Sequence, residues 1–209
     1  MALRIILLFG ITWLGSLKKP FLVLNESWIH GGISWQALIL FLGGLFLLYK
    51  STKEIHEKIE DRGHDEREVR KGQSSSLTNA IVQITIINIV FSFDSILTAI
   101  GMTKGISPNP NDALILMIVA VVISVIIMLL FANPVGEFVN QHPSIQVLGL
   151  SFLILIGFML IAEAAHLSHL VIFDNEVGAI PKGYLYFAIT FSLMVEFLDM
   201  RMRKNKKTA

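Results

Sequence analysis

Long apolar runs separated by short polar stretches dominate the sequence. Ala113 to Ala132 is interrupted by Ser124 alone, whereas Leu77 to Met102 carries Asn88 and Asp94. A helix needs about 20 apolar residues to cross a hydrocarbon core of about 30 Å, and only helices or closed barrels satisfy the backbone there. The pattern predicts five transmembrane helices, at approximately 35–50, 77–102, 112–132, 144–164 and 183–200.

A shorter apolar run, Ile5 to Leu17, lies between Arg4 and the pair Lys18 and Lys19. Its length also fits a signal peptide, but no small-x-small cleavage pattern follows it. We interpret it as a sixth span at approximately 3–17, with the signal peptide as the alternative. The expected fold class is therefore all-α: a polytopic transmembrane helical bundle forming a single integral membrane domain over residues 1–209.

Composition supports a membrane protein and excludes other classes. Hydrophobic residues make up 54% of the chain and charged residues 16%, and the mean hydropathy is +0.66. Such a chain is too apolar for a soluble domain of this length, and it has no cysteine for a disulfide framework. The expected partners are the lipid bilayer and no nucleic acid, and a homo-oligomer or a membrane partner stays open.

The distribution of charge predicts the orientation. The segment Lys50 to Lys71 holds seven basic and seven acidic residues, and its pairs four residues apart favour a helical extension. Twelve basic residues fall on the side of this segment and of the C-terminal tail, against four on the other side. The positive-inside rule then makes 51–76 a charged cytoplasmic segment and places both termini in the cytoplasm. In that segment His56, Glu60, His64 and Asp65 could form a metal sensor, but a solvated charged helix is favoured.

Asp94 is the strongest candidate for chemistry, because an ionisable group at membrane depth is costly and marks a functional site by default. Thr98 lies roughly 40° from Asp94 around the helix, Ser95 and Asn88 roughly 100–120° away, and Ser92 roughly 160° away. Carboxylate, hydroxyl and amide oxygens suit calcium, magnesium and manganese. One straight helix cannot complete such a site, so either this helix is broken near Phe91 to Ser95 or other helices supply ligands.

The simpler alternative for Asp94 is a hydrogen-bonded residue that holds helices together, and packing explains Asn88, Ser92 and Ser95 taken singly at least as well. Further along the chain, Glu163 precedes His166 and His169 at three-residue steps. This pattern fits a metal entrance site or, equally, a solvated helix end.

Glu196 has no obvious partner in the sequence and is a secondary candidate ligand, whereas Asp199 can pair with Arg203. No catalytic serine elbow, zinc-protease motif or Walker loop is present, so neither an enzyme nor a resident cofactor is expected.

Several motifs resemble the TerC family of integral membrane proteins. They are Phe91 to Ile96 (FSFDSI), the stretch from Gly43 to Glu57, His142 to Ser144, Ser151 to Phe158, and Pro181 to Phe187 (PKGYLYF). The resemblance implies a bacterial inner-membrane bundle of seven helices with an inverted repeat, related to cation exporters and linked to tellurium resistance, with manganese efflux as an activity. It also implies that Asp94 is the family's intramembrane acid, flanked by Ser92 and Ser95, and that Glu163 and Glu196 match acidic positions in the last two helices.

The sequence departs from this pattern in two places. Asn88 stands where many relatives carry an Asp. The family's first helix, with a Glu-x-x-x-x-x-Asp-Asn motif, is missing before Met1, so we expect a chain shortened at its N-terminus by about one and a half spans.

The resulting hypothesis is a divalent cation transporter that exports manganese. Its metal ligands would be Asp94, Asn88, Ser92, Ser95, Glu163 and Glu196. The alternative is a membrane stress-response or assembly partner that moves no ions and docks other proteins on Lys50 to Lys71.

Overall fold

The computed structural model describes residues 20–26, 29–60, 73–103 and 110–206. Its helices are α1 (Trp35–Glu60), α2 (Gln73–Thr103), α3 (Pro110–Gln141), α4 (Pro143–Leu167) and α5 (Lys182–Lys206). Four strands accompany them: β1 (Pro20–Glu26), β2 (Ile29–Ser34), β3 (Val171–Ile172) and β4 (Asn175–Glu176). All five helices are long and apolar enough to cross a membrane. This confirms the expected all-α polytopic bundle, while the span expected at 3–17 lies outside the described residues.

The helices continue past the ends of the apolar runs. α1 extends as a charged helix to Glu60, and Lys50–Glu54 (2.8 Å) and His56–Glu60 (3.3 Å) pair along it at the spacing expected. α2 begins at Gln73, inside the segment 51–76 that the sequence assigned to a cytoplasmic connection. α3 ends at Gln141 and contains Pro134 in its interior. Membrane helices tolerate an internal proline because neighbouring groups can satisfy the backbone group that it leaves without a hydrogen bond.

The main helix interface joins α1 and α4, which run antiparallel. Three contacts set the direction, because residue numbers rise along α1 as they fall along α4. The Gly32 N–H donates to the Ser168 carbonyl oxygen at 2.8 Å, Gly44 lies against Gly157, and Lys58 donates to the Gln146 side chain. A β-carbon added to Gly44 would lie 2.7 Å from the Gly157 oxygen, so the two backbones approach closely, as small residues allow in membrane helices.

α2 packs beside this pair. Leu40 and Leu47 of α1 are fully buried, and Val90, Phe93 and Ile96 of α2 join the same apolar core. By contrast, α3 and α5 leave most of their apolar side chains on the surface, where a bilayer would cover them.

A small antiparallel sheet, which the sequence analysis did not predict, closes one end of the bundle. Its strand order is β1-β2-β3-β4, with Val23 opposite Gly32, Ile29 opposite Ile172, and Val171 opposite Glu176. The sheet therefore joins the start of α1 to the segment between α4 and α5. Strands of two residues are too short to show an alternating pattern, and pairing between segments more than 140 residues apart leaves no local signal.

Candidate cation site between α2, α4 and α5

Asp94 lies in the C-terminal half of α2, which is helical without a break from Gln73 to Thr103. Of the two arrangements that the sequence left open, the structure shows the second: the helix is not broken near Phe91 to Ser95, and other helices complete the surroundings of the carboxylate. The Asp94 side chain is 24% exposed, so it is neither sealed in the core nor fully on the surface.

The partner of Asp94 is Lys182, the first residue of α5. The Lys182 Nζ lies 3.0 Å from Asp94 Oδ1 and 2.9 Å from Oδ2, and it also donates to the Thr98 hydroxyl. Thr98 is one turn beyond Asp94 on the same face of α2, as the helical spacing predicted. An ammonium that donates to both carboxylate oxygens forms a charge-assisted contact, which here joins α2 to α5.

A cavity of about 260 Å³ opens beside this pair. α2 contributes Asp94, Ser95 and Thr98 to its walls, and α4 contributes Glu163. The remaining lining residues are Phe91, Ile156, Met159, Leu160, Lys182, Leu185 and Tyr186. Carboxylates from two helices and two hydroxyls therefore line one space whose other walls are mainly apolar, and oxygen donors of this kind suit hard cations.

The cavity brings together half of the predicted ligands. Asp94, Ser95 and Glu163 line it. Ser92 is fully buried instead, and its backbone oxygen accepts a hydrogen bond from the Ser95 hydroxyl at 3.0 Å. Asn88 and Glu196 lie outside this cavity, so their roles as ligands stay predictions.

The histidine patterns do not form metal sites in the part of the chain that the structure describes. His169 is 83% exposed and lies 3.6 Å from Glu176, and its ring centre is 6.4 Å from that of His166. Among the described residues no group of three His, Cys, Asp or Glu side chains could hold a metal ion. His169 is exposed as a solvated helix end predicts, but the His166 Nδ1 is buried with no hydrogen-bond partner among the described residues, and Glu163 lines the cavity. The entrance site and the solvated helix end therefore both stay predictions. Of the four residues considered as a metal sensor in the charged segment, His56 pairs with Glu60, and His64 and Asp65 lie outside the described residues.

Sequence reasoning missed Lys182 as part of the site. We counted it among the four basic residues of the less basic side, and it belongs to the motif Pro181 to Phe187. A single lysine directly after a proline, at the start of a span, was the available signal. The contact with Asp94 joins residues 88 positions apart, so helix packing was needed to reveal it.

The fold and the site together define a polytopic helical membrane protein with a largely apolar cavity between its helices, into which two carboxylates and a lysine are brought together. The sequence model of the Integral membrane protein TerC family matches residues 1–209, and the chain belongs to that family. This confirms the resemblance drawn from its motifs.

Several curated proteins are similar to the chain over nearly its whole length. It is 44% identical to the UPF0053 inner membrane protein YgdQ of Escherichia coli, over 98% of the chain and 76% of that protein. It is 39% identical to a UPF0053 protein of Haemophilus influenzae, over 99% of the chain and 77% of the relative. The UPF0053 inner membrane protein YoaE of Escherichia coli is 40% identical over 97% of the chain, which corresponds to 34% of YoaE. No solved structure matches the chain.

Proposed function

We propose that the protein transports a divalent cation, with manganese as its cargo, across the bacterial inner membrane. One observation carries the proposal: the carboxylate of Asp94 in α2 lines the same intramembrane cavity as Glu163 of α4. The protein is then a transporter and not an enzyme, and its metal is cargo and not a resident cofactor.

The choice of a cation is supported by the cost of two carboxylates, Asp94 and Glu163, at membrane depth beside a single lysine. Acidic residues persist there where they bind ions or protons or pair with a basic group. The hydroxyls of Ser95 and Thr98 add neutral oxygen donors beside Asp94, and no sulfur ligand from cysteine is available in the chain. Oxygen donors of this kind favour magnesium, calcium or manganese over copper.

The finer details rest on the family. Manganese export is what the resemblance to TerC proteins implies, and the inner membrane is where the names of the YgdQ and YoaE relatives place those proteins. The charge distribution supports a cytoplasmic C-terminus.

The test compares cells that lack the gene with cells that regain it. Strains would carry the native chain, Asp94→Asn, or Glu137→Gln, an acidic residue exposed on α3 away from the cavity. Under manganese load we expect the native chain and the Glu137 variant to lower intracellular manganese, measured by mass spectrometry, and the Asp94 variant to leave it high. Equal manganese in all strains would contradict transport.

A second candidate function is that of a membrane assembly or stress-response partner. It is supported by α1, which projects beyond its apolar run as an exposed charged helix from Lys53 to Glu60. If Asp94→Asn restores tellurite tolerance as well as the native chain does, and manganese does not change, this second function is favoured.

A further inference from the structure

Lys182 places a positive charge on the carboxylate that the proposed function assigns to the transported metal. We propose that Lys182 is a tethered competitor: its ammonium and the divalent cation compete for Asp94, and the cation must displace the ammonium to bind. The inference rests on the proposed function and adds to it the residue that sets how tightly the site holds its cargo.

The geometry is that of a cation held by ligands. The Lys182 Nζ lies 2.9–3.0 Å from both oxygens of Asp94 and donates to the Thr98 hydroxyl. These three oxygens belong to the residues that would also coordinate a metal. Since the ammonium and a metal ion would both need them, simultaneous binding through the same oxygens is excluded.

Charge balance points the same way. With both carboxylates ionised, Asp94 and Glu163 carry two negative charges and Lys182 one positive charge. A divalent ion that enters while Lys182 stays leaves a net positive charge in the cavity. If the lysine withdraws, the metal and the two carboxylates are neutral together, which is the less costly arrangement in a low-dielectric membrane interior.

The pair is also placed to open. Lys182 is 31% exposed and Asp94 24% exposed, and both side chains line a cavity of about 260 Å³, so the pair is not enclosed in the packed core and has space beside it to separate. A lysine carries its charge on a flexible four-carbon stem and binds as a point charge, and can therefore leave a carboxylate more readily than the bidentate fork of an arginine.

The competing explanation is a fixed salt bridge that holds α5 against α2. The two explanations predict opposite effects of the same substitutions. A competitor weakens metal binding, so removing its charge tightens binding and replacing it by a stronger competitor weakens binding. A fixed bridge supports the site, so removing it would loosen binding and arginine would preserve it.

The experiment measures manganese binding to the purified full chain in detergent by titration calorimetry with MnCl₂. The variants are Lys182→Met, Lys182→Arg and, as a matched control, Lys50→Met, which removes another lysine paired with a carboxylate, Glu54 at 2.8 Å, on α1 outside the cavity. We expect affinity to rise roughly tenfold in Lys182→Met, to fall in Lys182→Arg, and to stay unchanged in the control. In proteoliposomes Lys182→Met should lower both KM and kcat, because a metal that binds more tightly leaves more slowly.

The inference would be overturned if Lys182→Met bound manganese no more tightly than the native chain and Lys182→Arg bound it equally well. The proposal of transport would not be affected by that result. Failure of the native chain to bind manganese would overturn both. A thermal unfolding scan accompanies each titration. If Lys182→Met does not fold, Lys182→Arg decides: weaker binding supports the competitor, and equal or tighter binding overturns it.

Discussion

At the scale of single residues, the site depends on how the partly buried negative charge of Asp94 is compensated. The positive charge of Lys182 compensates the negative charge of Asp94. Among the described residues that line the cavity, Glu163 has no second basic side chain to compensate its own charge. Uncompensated carboxylates attract cations most strongly where water is scarce. Glu163 is therefore the second group on which divalent binding should depend.

The structure distinguishes two candidate ligands, because Glu163 lines the cavity and Glu196 does not. Glu163→Gln removes a carboxylate from the cavity, and we expect manganese affinity to fall by roughly tenfold or more, since a negative charge is lost from the wall that the cavity shares with Asp94. Glu196→Gln lies outside the cavity and should leave affinity unchanged within about twofold. Calorimetry with MnCl₂ on both purified variants provides the measurement. If Glu196→Gln lowered manganese affinity more than Glu163→Gln did, the assignment of the cavity as the binding site would be contradicted.

Much of the residue-scale picture was accessible from the sequence. Asp94 stood out because acids are rare at membrane depth, and the 3.6-residue period placed Thr98 beside it. The period also separated Ser92 from Asp94, and Ser92 is buried in the core. Lys182 could not be placed, because its contact with Asp94 depends on how α5 packs against α2, and sequence spacing carries no information on that.

At the scale of elements, the bundle depends on close backbone contact between α1 and α4. Gly44 meets the Gly157 oxygen, and a β-carbon added to Gly43 would lie 2.6 Å from Val90 of α2. Two adjacent glycines thus admit two different neighbours, α4 on one side and α2 on the other. A larger residue at Gly44 would push α1 away from α4, which carries Glu163, and one at Gly43 would push it away from α2, which carries Asp94.

Alanine at these glycines tests the contact. Gly44→Ala places a methyl group against backbone, which cannot move aside as a side chain can, and should destabilise the protein by about 1–3 kcal/mol. Gly149→Ala on α4 meets nothing within 4 Å and should be neutral or slightly stabilising. Thermal unfolding in detergent provides the measurement. Equal unfolding temperatures for the two variants would show that α1 and α4 do not pack closely at Gly44.

The helices themselves were predictable because a span needs a long apolar run, and each of the five runs became a helix. The ends of the helices could not be predicted in the same way. Hydropathy marks only the part of a helix that crosses the membrane, whereas α1 and α3 continue beyond that part. The sheet was missed for a different reason. β2 pairs with β3 across more than 140 residues, which leaves no local signal, whereas β1 and β2 pair locally and their short apolar stretches were not interpreted as strands.

At the scale of the whole molecule, the cavity lies toward one end of the bundle. Glu163 is four residues before the end of α4, and Lys182 begins α5, so both are close to the end that the sheet closes. The charged extension of α1 leaves the bundle at the opposite end. The positive-inside rule assigns that charged end to the cytoplasm, which predicts that the cavity lies in the outer half of the membrane.

Cysteine labelling tests this orientation, and the chain suits it because it contains no cysteine. Gly178→Cys lies in the segment after β4, where an added side chain meets nothing within 4 Å, and Asn140→Cys lies exposed near the end of α3 at the opposite side of the bundle. In cells with a permeabilised outer membrane, a membrane-impermeant maleimide should label Gly178→Cys at once and Asn140→Cys only after the inner membrane is disrupted.

The outcome also bears on transport, because an exporter must receive its cargo from the cytoplasm. If the labelling is as expected and the chain exports a metal as proposed, that metal would reach Asp94 and Glu163 only after crossing the inner half of the bundle, and the site would be near the point of release. A tethered lysine at that position would help to expel the metal by reclaiming Asp94. The reverse labelling pattern would place the cavity at the point of uptake, where the same lysine would instead limit which cations enter.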